Sequence, residues 1–345
     1  MTEGILPKNS VVCDRWQIEE KIGKGGFGEV YRCKDCHTNK SVALKLVSKI
    51  TANPGIHHLN NEAKALRAVQ GKKFFTRYYS YRRVLLFDFL VMELLGLNLR
   101  ELKKTYPNKK FSVDATLSMG RMMLKSVEWL HDAGYLHRDI KPSNFAIGVE
   151  ERARRVYLID FGLAKRYVYD SGELCSLRNK TSFKGTSRYA SANVLHGKDP
   201  GRRDDLISLF YTLVELSSPK LPWKKISGHK ELAIMKESYD HSTLIAGFPS
   251  TFLQFFEHLN LLDTLEKPDY GLLLSTLETC LRERALNTFD VETNDNIQET
   301  DYLSDHSSQT ILLTGISLVL SGNDVILLSG ISFLEFYLTP QSHHQ

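Results

Sequence analysis

Three glycines spaced G-x-G-x-x-G lie between two strand-like segments: Gly23, Gly25 and Gly28 in "IGKGGFGEVY". The segments "RWQIEEKIG" before them and "GEVYRC" after them alternate partially between apolar and polar residues, as half-buried strands do. This order constrains the fold. A dinucleotide loop must open a helix whose N-terminus meets the pyrophosphate, so a strand after the glycines argues against it. A lid folded over nucleotide phosphates tolerates a strand on each side. The pattern is short, and alone it is also compatible with chance.

The next segments extend the strand-rich region. "SVALKLV" (41–47) reads as a third strand, and "HLNNEAKALRAV" places Leu59, Ala63, Leu66 and Val69 at helical spacing. "RVLLFDFLVMELLG" reads as two short strands ending at Gly96. The texture then turns helical. "SVDATLSMGRMMLKSVEWLHDAG" carries Leu117, Leu124, Val127 and Leu130 or His131 on one side, with Ser112 placed to cap it and Gly134 to end it. Further helices are expected in "RRDDLISLFYTLVELSS", "KELAIMKESYD", "PSTFLQFFEHLNLL" and "DYGLLLSTLETCLRERA". No internal repeat of 20 to 50 residues interrupts this layout. At 345 residues and 42% hydrophobic, the chain is long and apolar enough to bury a large core, which argues against wholesale disorder. After about Thr288 an acidic and polar stretch, "DVETNDNIQETDYLSDHSS", reads as a linker. The apolar run beyond it is broken at Asn323 and Asp324, so it reads as two strands around a "GND" turn rather than a membrane span.

Three more motifs follow the glycine loop in order: Lys45 in "VALK", Asp139, Lys141 and Asn144 in "HRDIKPSNF", and Asp160 in "DFG". Each alone is weak, and together they recur as one signature set. On these motifs the chain resembles the eukaryotic-type protein kinases. The resemblance implies an α+β, bilobal fold with a small β-rich N-lobe holding one main helix and a large, mainly α-helical C-lobe. It covers roughly 16–290, with the N-lobe at 16–95 and the C-lobe at 96–290. Residues 1–15 form an extension, and 291–345 form a linker and apolar tail.

The resemblance also implies roles. ATP carries a dense negative charge that must be oriented rather than attacked covalently. Gly23, Gly25 and Gly28 would let backbone N–H groups approach its phosphates, Phe27 would close over them, Val30 would pack on the adenine, and Ile22 and Ala43 would belong to the ATP site. Lys45 would hold the α- and β-phosphates, braced by Glu62, the one acid in the N-lobe helix. Met92 would be the gatekeeper, and backbone groups of Glu93 and Leu95 would meet the adenine edge. Asn144 and Asp160 supply the hard oxygens that Mg2+ needs. Asp139 would orient the substrate hydroxyl, and Lys141 would face the γ-phosphate, as in serine/threonine kinases. Asp205 matches a helix aspartate that braces the catalytic loop.

Where most kinases carry Ala-Pro-Glu, this chain has "GTSRYASANVLHG", with Ser191, Ala192 and Asn193 in that region. This departure, followed by "RRDDLISLFYTLVEL", resembles the casein kinase 1 group. "SPKLPWKKI", "KESYDH" and "KPDYGLLLSTLE" resemble the tau-tubulin kinases within it. The glutamate that usually pins the activation segment is missing, so another contact must replace it. The group's preference for acidic or phosphorylated protein substrates implies an anion site, for which Arg188 and Lys224, with Lys225 nearby, are the candidates. A net charge of +5 suits such substrates and is too small to imply nucleic acid. Thr181, Ser182, Thr186 and Ser187 read as plain polar loop residues. "CKDCH" (Cys33, Cys36, His37) reads as a polar turn between strands rather than a metal or haem site. The first ten residues carry no apolar run, so the expectation is reduced thiols, a cytoplasmic or nuclear location, no membrane partner and a monomeric catalytic domain.

Overall fold

The computed structural model describes residues 4–25, 28–49, 55–169, 171–178, 181–295, 312–313, 316–321 and 324–329. Two compact units divide the chain, Met1–Thr288 and Phe289–Gln345.

The first unit opens with an antiparallel sheet in the order β1-β2-β3-β4-β6-β5. Its strands are β1 (Val11–Val12), β2 (Trp16–Gly25), β3 (Gly28–Asp35), β4 (Ser41–Ser48), β5 (Tyr78–Arg83) and β6 (Phe87–Glu93). Strand β4 is buried on both faces. Val42, Leu44 and Leu46 join Trp16, Ile18, Tyr31 and Phe89 in a small core. The alternation of a strand puts Ala43, Lys45 and Val47 on the opposite face. On that side Val47 packs with Leu59, Ala63 and Leu66 of helix α1 (Gly55–Ala68). The apolar spacing read in α1 is therefore its buried face. One strand boundary differs from the sequence reading. Strand β5 is Tyr78–Arg83, and Val84–Leu86 form the turn, with Leu85 90% exposed. The pattern "YYSYRR" lies mostly at the surface of an edge strand, so it lacks the apolar alternation that marks the others.

The "CKDCH" segment ends β3 and turns toward β4, with Cys33 buried and Cys36 exposed. Among the described residues no cluster of His, Cys, Asp and Glu suited to a metal is formed.

Gly28 is needed for the sheet itself. Its φ is +148°, and a Cβ there would lie 2.1 Å from the Leu46 carbonyl oxygen. Gly25 has open space where a Cβ would stand, and Gly23 meets only Val30, at 3.7 Å. Gly28→Ala is expected to destabilise the protein by about 1–3 kcal/mol, measured by urea denaturation, because alanine must shift the β3–β4 ladder. An unchanged midpoint would show that the hairpin yields freely.

Helices dominate the rest of the unit: α2 (Leu99–Thr105), α3 (Val113–Asp132), α4 (Ala192–Leu195), α5 (Arg202–Ser217), α6 (His229–Ser238), α7 (His241–Leu244), α8 (Leu253–Leu261) and the greater part of α9 (Tyr270–Asp295). Helix α3 starts where Ser112 Oγ accepts from the Ala115 N–H at 3.1 Å. Helix α2 was not anticipated. Its Asn98 cap accepts from the Glu101 N–H at 3.0 Å, but seven residues are too few for a clear apolar period. Helix α5 is buried nearly all round, polar residues included, with 13 of its 16 residues inside. It is a central beam rather than a surface helix. Phe210 on it lies 5.2 Å from Phe252 and 5.1 Å from Phe256, and such ring pairs each add about 0.5–1.5 kcal/mol. Two short antiparallel strand pairs follow: β7 (Tyr135–Leu136) with β10 (Lys165–Arg166), which flanks the "HRDIKPSNF" and "DFG" motifs, and the hairpin β8 (Phe145–Ile147) with β9 (Val156–Leu158) between them.

Helix α9 runs to Asp295, into the stretch read as a linker, because neither Gly nor Pro stops it there. In the second unit β12 (Ile316–Ser321) pairs antiparallel with β13 (Asp324–Ser329), after a short β11 (Leu312–Leu313). Among the described residues no helix is long and apolar enough to cross a membrane.

Candidate active site

The register of the N-lobe sheet aligns the predicted nucleotide residues. Gly23 stands opposite Val30, Val30 opposite Lys45, and Ala43 opposite Met92. Ala43 is buried, Val30 and Met92 are half-buried, and Ile22 is exposed at the strand edge. Phe27 lies outside the described residues. The Glu93 N–H is already given to the Arg77 carbonyl at 2.9 Å, so only its carbonyl remains for an adenine. The Glu93 carboxylate pairs with Arg152 and accepts from the Arg77 N–H, which steadies the segment before Leu95. The Gly96 N–H then bonds the Ile147 carbonyl at 2.9 Å and ties this segment to β8.

Lys45 joins three elements. Its Nζ lies 2.7 Å from Glu62 Oε2 on α1 and 2.7 Å from Asp160 Oδ1. Two carboxylates share one ammonium in a buried place. Burial alone would lower the Lys45 pKa, but the charges of Asp160 and Glu62 hold it above the usual lysine value. The two acids are pushed apart. Burial, together with the Asp160 charge, carries the Glu62 carboxyl up to about 7 against the pull of Lys45. For Asp160 burial is outweighed by Lys45, which holds it at about 2.

Asp139 lies opposite this trio in the chain's second motif. Its Oδ1 accepts from Thr186 Oγ1 at 2.8 Å, and its Oδ2 accepts from Lys141 Nζ at 2.6 Å. Lys141 also donates to Thr186 Oγ1 at 3.0 Å, closing a triangle. Asn144 Nδ2 donates to the Asp139 carbonyl at 2.8 Å, which leaves Oδ1 as the atom able to ligate a cation. Thr186, read from sequence as a plain polar loop residue, is thus part of the site. Nothing local in "KGTSRY" announces it, because its partner is 47 residues away.

The backbone around Asp139 is strained and held. Arg138 and Asp160 both have positive φ, 66° and 64°. Such conformations persist where neighbours over-determine them. Asp205 of α5 does so here. Its carboxylate accepts from the His137 N–H at 2.6 Å and the Arg138 N–H at 2.8 Å. His131 Nε2 lies 3.0 Å from the same carboxylate, and its Nδ1 lies 2.6 Å from the Tyr270 hydroxyl. An ionised carboxylate only accepts, so Nε2 carries a proton and donates it toward Asp205.

The activation segment is pinned without the missing glutamate. Ser191 Oγ donates to Asp204 Oδ1 at 2.5 Å, and the Tyr189 hydroxyl donates to Glu215, both on α5. Arg188 Nη1 lies 3.4 Å from Glu215 Oε1. Lys224 is exposed. Burial lowers the pKa of Lys103, which bonds the Glu215 carbonyl, and the Lys224 charge lowers it further. Asp199 adds a further clamp. Its buried carboxylate meets Lys165 Nζ and Arg178 Nη2, each at 2.9 Å. Burial would raise its pKa, but the hydrogen bonds from Arg178 and Lys165 hold it at about 2. An unfolded aspartate titrates near about 3.9. The stabilisation is therefore complete above about pH 4 and is lost as pH falls toward about 2. Arg178→Ala is expected to raise the midpoint of acid unfolding, followed by circular dichroism. A midpoint equal to wild type would refute the clamp.

The sequence matches the protein kinase domain over residues 16–285. The chain belongs to the protein kinase family. A relative from Dictyostelium discoideum, named a probable serine/threonine-protein kinase, is 40% identical over 291 residues. That alignment covers 83% of this chain and 58% of the relative, so the chain spans less than two thirds of that curated protein's length. The kinase has the curled β-sheet lobe and helical lobe of its family, and β4, α1 and the segment around Asp160 bring Lys45, Glu62 and Asp160 together.

Proposed function

We propose that this kinase transfers the γ-phosphate of ATP to serine and threonine hydroxyls of proteins, and that it belongs to the casein kinase 1 group near the tau-tubulin kinases. The observation that carries the reading is the Asp139–Lys141–Thr186 triangle, which places a carboxylate and an ammonium side by side. A carboxylate there orients the attacking hydroxyl and takes up its proton. Lys141 offsets charge on the transferring phosphoryl group, and Lys45 holds the phosphates behind it.

The donor set fits magnesium. Mg2+ keeps several waters and takes one or two protein oxygens beside phosphate oxygens. Asp160 and Asn144 Oδ1 provide that number of hard oxygens. When bound, the ion neutralises phosphate charge. The chain's own residues do the rest by orienting both reactants.

Arg188 supports a preference for acidic or phosphorylated substrates. Its side chain is 34% exposed and only loosely paired with Glu215, which leaves donors of its planar fork for an anion. Lys224 adds exposed positive charge in the same region.

The test is phosphate transfer to casein, tau and tubulin with magnesium ATP. Casein is also assayed after phosphatase treatment. Arg188→Ala with Lys224→Ala should raise KM for phosphorylated casein about tenfold, because one charge-assisted contact is worth about 1.5–3 kcal/mol. The change should be smaller for dephosphorylated casein. Equal KM changes on both caseins would remove the anion preference. Absence of any transfer by wild type would remove the enzyme reading.

A further inference from the structure

Lys236 is a lysine inside the protein. It sits on α6 with 2% of its surface exposed. Its Nζ donates to three carbonyl oxygens of one short stretch: Ser187 at 3.1 Å, Arg188 at 2.9 Å and Ala190 at 2.5 Å. The rings of Tyr211 and Trp223 close around it, with centroids 4.7 and 5.1 Å away. Trp223 Nε1 donates to the same Arg188 carbonyl at 2.9 Å. Among the described residues Lys236 makes no ion pair. Burial holds its pKa well below the usual lysine value.

A buried lysine without a carboxylate is a costly choice. A methionine of similar length would fill the same space with no charge to desolvate. Packing therefore does not call for this residue. What a methionine could not do is gather three carbonyls. Turning them toward one nitrogen fixes the backbone of Ser187–Ala190 in one shape. That stretch starts beside Thr186, which is bonded to Asp139, and ends beside Ser191, which is bonded to Asp204. It also carries Arg188. The Tyr189 N–H, bonded to the Thr186 carbonyl at 3.1 Å, closes the turn.

We propose that Lys236 is a positioning residue that holds Ser187–Ala190 in the form that receives the protein substrate beside Asp139. The proposal rests on the kinase reading given above. Lys236 touches none of Lys45, Glu62, Asn144 or Asp160, so its effect falls on the protein substrate and not on the nucleotide.

The experiment uses the full chain and compares wild type with Lys236→Met and Trp223→Phe. Lys236→Met should raise KM for casein about tenfold or more, while KM for ATP and the slow transfer of phosphate to water stay within about twofold of wild type. Trp223→Phe removes one bond to the Arg188 carbonyl and should move casein KM the same way by about threefold. A casein KM within about twofold of wild type for Lys236→Met would overturn the proposal. So would a parallel loss of casein phosphorylation and transfer to water, which marks general structural damage. Amide hydrogen exchange gives a readout free of catalysis. In Lys236→Met the amides of residues 186–190 should exchange about tenfold faster, with α5 unchanged. If wild type transfers no phosphate at all, the kinase reading fails, and the exchange result still decides the role of Lys236. Unchanged exchange at 186–190 refutes it.

Discussion

Asp139→Asn is expected to lower kcat by about a thousandfold, while the affinity for ATP stays within about threefold of wild type. Asparagine has the same shape, so the fold has no cause to change. The loss is chemical. Asp139 Oδ1 accepts from Thr186 and Oδ2 accepts from Lys141 Nζ at 2.6 Å. An amide keeps one acceptor and turns the other into a donor. If its carbonyl faces Thr186, its NH2 opposes the Lys141 ammonium. If it flips, it faces Thr186 with the donor. In neither pose does a carboxylate remain to take a hydroxyl proton. The Lys45–Glu62–Asp160 trio is untouched, which is why nucleotide binding survives. Radiolabelled phosphate transfer to casein, beside nucleotide titration, separates the two effects. A variant within about tenfold of wild-type kcat would show that Asp139 is not the group that matters.

Asp205→Ala carries the largest stability effect. The change leaves the N–H groups of His137 and Arg138 without an acceptor inside the protein, and His131 without its partner. Removing one side of a buried charged network costs about 3–5 kcal/mol. For a domain of this size that is a fall of about 10 °C in Tm. Asp205→Asn should fall between the two, because one carbonyl oxygen still accepts. The acidity of Asp205 agrees with this weight. Burial would raise its pKa, yet the hydrogen bond from His131 and its neighbours hold it below the ordinary value. Urea denaturation at neutral pH measures the loss. A cost below about 1 kcal/mol would mean that the catalytic loop keeps its own shape without α5.

The parts of the site that sequence made legible are those whose chemistry is written in short motifs. Lys45, Asp139, Asn144 and Asp160 each stand in a run whose neighbours identify them. Glu62 was readable because α1 offers a single acid on a helix whose apolar face was plain. The contacts that escaped notice join residues with no local pattern. Thr186 meets Asp139 across 47 positions, and Lys165 meets Asp199 across 34. Nothing in "MKESYD" marks Lys236 as buried, since a helix shows its burial through apolar spacing and a lysine adds nothing to that signal. The missing pin of the activation segment was visible only as an absence. Its replacement, Ser191 on Asp204 with Tyr189 on Glu215, needed the fold. Strand β5 and helix α2 were lost for a simpler reason. One is a polar edge and the other is two turns long.

The place of α5 in the chain has a consequence for synthesis. The catalytic loop, the activation segment and the turn around Arg188 are all fastened to Asp204, Asp205 and Glu215, and each fastening joins an earlier residue to a later one. A chain leaving the ribosome therefore exposes the loop of Asp139 and Asn144 well before the helix that braces it. Until residue 216 has emerged and α5 has found its core, those side chains are present but unarranged. Competence therefore waits on α5, and a nascent chain that has not yet exposed residue 216 is expected to lack an ordered catalytic loop.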